Sequence, residues 1–127
     1  MGKRKDNNKH FDIYCPVFEF MFIVFVGDYA AFDKFVKKKY PETYPGIQKE
    51  DLSHNLGFAV QCMGASFIYI KDKNDFNTIT HESHHAISHM FNVCSEIRND
   101  SQSTEEVFAY HNGWLVSEII KKIKGKK

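Results

Sequence analysis

Cysteine is scarce in this chain, and its spacing excludes a disulfide framework. The only cysteines are Cys15, Cys62 and Cys94, an odd number with no two close together. Small secreted domains that depend on disulfides usually carry an even number of cysteines at regular spacing. We therefore expect free thiols in a reducing compartment, which favours the cytoplasm of the cell that makes the protein.

Long hydrophobic runs and a charge of one sign are also missing. The apolar stretch from Val17 to Val26 is interrupted by Glu19, and it is far shorter than the roughly 20 residues that cross a bilayer. No small-residue cleavage site follows a basic region, so we expect no signal peptide and no membrane partner. The net charge of +1 indicates no partner. The lysines cluster at the two ends, where we expect solvated tails and not a nucleic-acid-binding surface.

What the sequence does have is apolar and aromatic residues enough for a core. Hydrophobic residues make up 43% of the chain, including 12 phenylalanines, which predicts one folded domain. We expect a basic leader at 1–12, a single domain at 13–123 and a lysine-rich tail at 124–127. The sequence indicates no oligomeric state.

The pattern of apolar residues predicts an α+β fold. The segment from Val17 to Val26 is apolar on both faces, which is typical of a buried strand. The other expected elements are a helix at about 29–40, a loop at 41–55, strands near 57–62 and 66–71 with a Met63-Gly64 turn, and helices at about 76–94 and 104–123. We expect a small sheet of about three strands with the helices packed on one face.

The chemistry is concentrated in residues 81–85, which read His-Glu-Ser-His-His. On a helix, His81 and His85 share one face because four residues make just over one turn. Two imidazoles so placed can bind one Zn²⁺, and Glu82 can take a proton from a water on the metal. Before this helix, Asp75, Asn77 and Thr78 are alternative capping residues. The pattern is H-E-x-x-H, found here with its expected helical context.

A catalytic zinc needs a third protein ligand, and the following helix offers two. Glu106 is our predicted ligand and Glu105 is the alternative, although Ser103 and Glu106 also form a capping-box pattern. Tyr110 lies four residues after Glu106, so its hydroxyl could orient a ligand or stabilise an oxyanion. A half-buried core tyrosine is the alternative for Tyr110.

The remaining histidines near the motif are weaker candidates. His89 continues the face of His85 and could support the site through a second layer of contacts. His84 lies off that face. We expect His111 on the second helix to be exposed and without a role.

The residues that carry the motif resemble those of a known family. His81, Glu82 and His85, followed by Glu106-Val107-Phe108-Ala109-Tyr110, resemble the compact gluzincin-type zinc metallopeptidases, including the antirepressor-type (ImmA/IrrE-type) peptidases of mobile elements and short proteins of tailed phages. The resemblance implies a minimal zincin-like domain that hydrolyses peptide bonds. His81, His85 and Glu106 would bind zinc, and Glu82 would act as general base.

The resemblance also implies a place for the substrate. The strand at 66–71 would be the edge of the cleft, to which a peptide or protein substrate adds as an extra strand. The alternative function is a non-catalytic phage or mobile-element protein, such as a virion component or an inhibitor, in which zinc only stabilises the fold. An open coordination position distinguishes the enzyme from this alternative.

Overall fold

A computed structural model describes residues 8–47, 55–62, 64–93 and 102–125, with only the backbone described for 46–47 and 102–104. The fold is α+β, and its elements follow the chain in this order: β1 (Lys9–Cys15), β2 (Phe20–Val26), α1 (Tyr29–Lys39), the short α2 (Tyr44–Ile47), β3 (Gly57–Cys62), β4 (Ala65–Ile70), α3 (Phe76–Val93) and α4 (Gln102–Ile123).

These bounds confirm most of the predicted elements. The helix at 29–40, the hairpin of β3 and β4 with Gly64 in its turn, and both later helices are present. Gly64 has a φ of +79°, a backbone conformation that suits glycine. Residues 9–12, predicted as part of a leader, belong instead to β1. The predictions for 1–7, the loop at 48–54, Met63, Cys94, the 95–101 connection and 126–127 fall outside the described residues.

The four strands form one mixed sheet in the order β1-β2-β4-β3. β1 pairs antiparallel with β2, β2 pairs parallel with β4, and β4 pairs antiparallel with β3. β4 is therefore a central strand, and the prediction that it forms the cleft edge is wrong. The two strands differ in burial. In β4 the residues from Ser66 through Ile70 are all buried, whereas β3 is only partly buried. The strand that is apolar on both faces occupies the centre of the sheet.

Helices cover both faces of this sheet, so the prediction of helices on one face is also wrong. Alternate residues of β2 and β4, such as Val24 and Ile68, pack with α3 and α4. The intervening residues, such as Phe25 and Tyr69, pack against Phe32 of α1. Central strands with two apolar faces need cover on both. In the described part of the chain, no helix is long and apolar enough to cross a membrane.

Tyr69 connects the central strand β4 to the turn between β2 and α1. Its side chain is fully buried, and its hydroxyl donates a hydrogen bond of 2.6 Å to the carbonyl of Gly27. Burial, with a smaller contribution from Asp28, raises the pKa of the Tyr69 phenol to about 12. The neutral phenol is thus the form that the folded protein requires.

We predict that Tyr69→Phe destabilises the protein by about 1–2 kcal/mol at neutral pH, because the buried Gly27 carbonyl loses its donor. The phenol of the unfolded chain ionises near pH 10, below the folded pKa of about 12. Stability of the native protein should therefore fall between pH 10 and 12, by up to about 2–3 kcal/mol from this residue. Urea unfolding at several pH values should show the native-to-variant difference shrinking over that range. A constant difference would contradict the prediction.

Candidate metal site

The helix that carries the motif begins at a well-defined cap. The backbone N–H of Thr78 donates to Asp75 Oδ1 at 3.1 Å, and the Thr78 hydroxyl donates to Asp75 Oδ2 at 2.5 Å. These two bonds lower the pKa of the Asp75 carboxyl, since they favour its charged form. Among the three candidate caps, Asp75 therefore makes the bond, and it fixes the start of α3 about one and a half turns before His81.

The rotation of α3 about its axis follows from its apolar face. Ile79, Ala86, Ile87 and Met90 are fully buried against the sheet. Because successive residues turn by about 100°, burial of this face leaves the opposite one to solvent. His81 and His85 lie on that exposed face, and Glu82 lies at the boundary and is buried.

The two histidines converge on one point. His81 Nε2 and His85 Nε2 are 3.2 Å apart, and their ring planes are nearly perpendicular at 80°. Two nitrogens on one tetrahedral Zn²⁺, each at about 2.0–2.1 Å, are expected to lie about 3.3 Å from each other. The pair therefore fits a shared ion. With Glu82 it forms a group that could bind a metal, all ligand atoms lying within 4.8 Å of one another.

Glu82 stands in a different environment from the histidines. Only 8% of the residue is exposed, and its Oε2 lies 4.0 Å from His81 Nε2. Burial raises the pKa of the Glu82 carboxyl, while positive charge on His81 and His85 opposes this shift. A carboxylate that is partly desolvated beside a pair of metal-binding histidines is suited to accepting a proton.

The carboxylate and His81 open into a cavity between the start of β3 and the first turns of α3. This cavity has a volume of 360 Å³ and is lined by Asn55, Leu56, Gly57, Asn77, Thr78, His81 and Glu82. Asn55, Leu56 and Gly57, which form the wall at the start of β3, were not predicted as part of the site. The available signal was Gly57, since a glycine inside a strand marks a close backbone approach.

The other histidines have separate contacts. His89 Nδ1 lies 2.9 Å from the hydroxyl of the fully buried Ser66. Burial lowers the pKa of the His89 imidazole, and His85 adds to this shift. His84 packs its exposed ring on Phe108 of α4, with ring centroids 5.0 Å apart. His111 is buried, which makes the prediction of an exposed residue wrong; its Nδ1 donates to the Val107 carbonyl at 3.0 Å.

The structure does not bring the predicted residues of α4 to this group. The Phe108 ring lies between His84 and Phe91, 5.0 and 5.3 Å away, so Glu105 and Glu106 lie toward the C-terminal end of α3. Both glutamates are exposed, and neither belongs to the metal-binding group found among the described residues. Their role as third ligand stays a prediction.

Tyr110 also lies away from the histidine pair. It is 71% exposed, so it is not a half-buried core residue. It lines a separate cavity of 140 Å³ with residues of the β1–β2 turn and with the rings of His111 and Trp114. Its predicted catalytic role has no support from this position.

No protein family, no curated protein and no solved structure matches the chain. What the structure establishes is a helix that presents two histidines and a buried glutamate as a group that could hold a metal ion.

We predict that the native protein binds one Zn²⁺ and that His85→Ala abolishes this binding. Loss of a supporting contact already costs about 10–100-fold in metal affinity, so loss of a ligand should exceed about 100-fold. Isothermal titration with zinc, together with metal analysis after dialysis, measures this. The variant should also lose the thermal stabilisation that added zinc gives the native protein.

The matched control is His84→Ala, which removes a neighbouring exposed histidine outside the group. Its zinc affinity should stay within about threefold of the native value. Stoichiometric zinc in His85→Ala would contradict the ligand assignment. Glu106→Gln and Glu105→Gln, measured in the same way, separate the two predicted third ligands.

Proposed function

We propose that this protein is a zinc-dependent metallopeptidase of the minimal gluzincin type. The observation that carries the proposal is the convergence of His81 Nε2 and His85 Nε2 at 3.2 Å beside the buried carboxylate of Glu82. Zinc suits two imidazoles and a carboxylate oxygen, and α3 supplies the two imidazoles beside the carboxylate of Glu82. Glu106 is the proposed third ligand, with Glu105 as the alternative.

The two environments on α3 give the histidines and Glu82 separate roles in this proposal. His81 and His85 are exposed, so a metal held by them is reachable by substrate and water. Zinc in such a site polarises a carbonyl and lowers the pKa of water toward about 7. Glu82 accepts a proton from the attacking water and returns it to the leaving amine. Its raised pKa brings the carboxyl closer to the range in which it can perform both transfers.

The number of ligands favours catalysis over a purely structural role. A structural zinc is enclosed by four protein ligands, usually cysteines and histidines. Among the described residues, the group offers only His81, His85 and Glu82, and it faces a cavity. This arrangement argues for open positions on the metal, and against the non-catalytic phage or mobile-element protein that we kept as the alternative.

We propose that β3, and not β4, receives the peptide substrate. Among the described strands, β3 pairs on one side only, and its first residue lines the cavity beside Glu82. The backbone N–H of Lys71 donates to the Leu56 carbonyl at 2.9 Å. Since inward and outward groups alternate along an antiparallel strand, the outward groups belong to Gly57, Ala59 and Gln61. An extended peptide can pair with these.

Glu82→Gln tests the chemistry. The amide keeps the size of the side chain but cannot accept the proton, so we expect kcat to fall by about 10²–10⁴-fold. Zinc affinity should be nearly unchanged because both histidines remain. Cleavage of a mixed peptide library, followed by mass spectrometry, measures the activity, and zinc titration provides the control. Native-like turnover by Glu82→Gln would exclude this mechanism.

Ala59→Pro tests the substrate strand. Proline removes an N–H that points away from β4, so the sheet should tolerate the change better than at an inward position. We expect KM for peptides to rise by about tenfold, the equivalent of about one hydrogen bond with its unpaired partner, while zinc affinity stays constant. Ala59→Thr, which keeps the N–H, is the control. An unchanged KM in Ala59→Pro would show that peptides do not pair with β3.

A further inference from the structure

Gly57 lies at a close approach between β3 and α3. A methyl group on its Cα would lie 2.6 Å from Thr78 Cγ2 and 2.7 Å from the carbonyl oxygen of Tyr69. Both distances are well inside van der Waals contact, since carbon atoms pack at about 3.5–4.0 Å. The two elements can approach this closely only because residue 57 has no side chain.

The atoms that crowd Gly57 are held in place. The Thr78 side chain is fixed by its hydrogen bonds to Asp75, at 2.5 Å from the hydroxyl and 3.1 Å from the backbone N–H. Tyr69 belongs to the central strand β4 and is fully buried, with its hydroxyl bonded to Gly27. A methyl group at residue 57 would therefore displace β3 or α3 as a whole, because neither neighbour can turn aside.

This contact lies at the candidate site. Gly57 lines the same cavity as His81 and Glu82, and its missing methyl would lie 3.5 Å from Glu82 Cγ. We propose that Gly57 is a positioning residue, which sets the gap between the substrate-binding edge of β3 and the carboxylate of Glu82. The inference rests on the proposed peptidase function.

The geometry separates turnover from metal binding. His81 and His85 both belong to α3, so their Nε2 atoms move together when the gap changes. The peptide would be held by β3, on the other side of the gap. A wider gap should therefore leave zinc affinity intact and misplace the scissile bond relative to Glu82.

The test is Gly57→Ala in the full-length zinc protein. Because a misplacement of about 1 Å can cost about 100-fold, we expect kcat to fall by about 10–100-fold, with KM and zinc affinity within about threefold. Gly113→Ala is the matched control, since a methyl on this residue of α4 would meet nothing within 4 Å. Its activity should be native and its melting temperature equal or higher.

A second experiment tests the contact between Gly57 and Thr78 through protein stability, so it does not depend on measured activity. Thr78→Ser removes the crowding methyl and keeps the hydroxyl that bonds Asp75. Gly57→Ala should lower the melting temperature, and the double variant should recover about half of that loss and part of the loss in kcat. Recovery would show that the steric contact, and not a general weakening of β3, is responsible.

The outcomes separate this inference from the proposed function. If the native protein is active and Gly57→Ala keeps its kcat, the positioning role is overturned and the proposed function stands. A Gly57→Ala variant with native melting temperature would also overturn it, because no close contact would exist. If the native protein cleaves no peptide, the proposed function fails and this inference with it, whatever the stability cycle shows.

Discussion

The burial of one face of α3 against the sheet is the constraint on which the rest of this structure depends. Ile79, Ala86, Ile87 and Met90 are fully buried. Removing these apolar side chains from water lowers the free energy of the folded protein. Once that face is fixed, a helix has no remaining freedom of rotation. The exposed histidine pair and the buried Glu82 are consequences of this packing.

The same packing decides which edge of the sheet faces the candidate metal site. The edges are β1 and β3, and the start of β3 contributes to the cavity beside Glu82. Because β4 is buried on both faces, it takes the centre, and no other described strand pairs with the outward backbone groups of β3. An open strand edge and the helix of the candidate metal site thus border one cavity, and the proposed peptidase function depends on this arrangement.

The site combines solvent access with local desolvation. The two imidazoles are exposed to solvent, where a metal ion can reach them, while the adjacent carboxylate is nearly covered. One helix achieves both, since residues 81 and 82 differ by about 100° around its axis. Gly57 then allows β3 to cover Glu82 closely, without a side chain between the strand and the helix.

Local patterns in the sequence determined the three long helices α1, α3 and α4, the β3–β4 hairpin and the convergence of His81 with His85. They did not predict the short α2, which lies in the segment 41–55 expected as a loop. The predicted features depend on near neighbours: the period of apolar residues, a turn glycine, and the four-residue spacing of a helix. The cap shows the limit of local reasoning, because Asp75, Asn77 and Thr78 all fit until the bonds of Asp75 are seen.

Only the tertiary structure decided the strand order, the cover on both faces of the sheet, and the positions of Glu106 and Tyr110. Those depend on contacts between distant segments, and helical spacing alone cannot give the rotation and sliding of α4 against α3. The contacts of the Phe108 ring with His84 and Phe91 set that register, which leaves Glu106 toward the C-terminal end of α3. The role proposed for Gly57 likewise depends on a tertiary contact, because β3 packs closely against Thr78 of α3 at this residue.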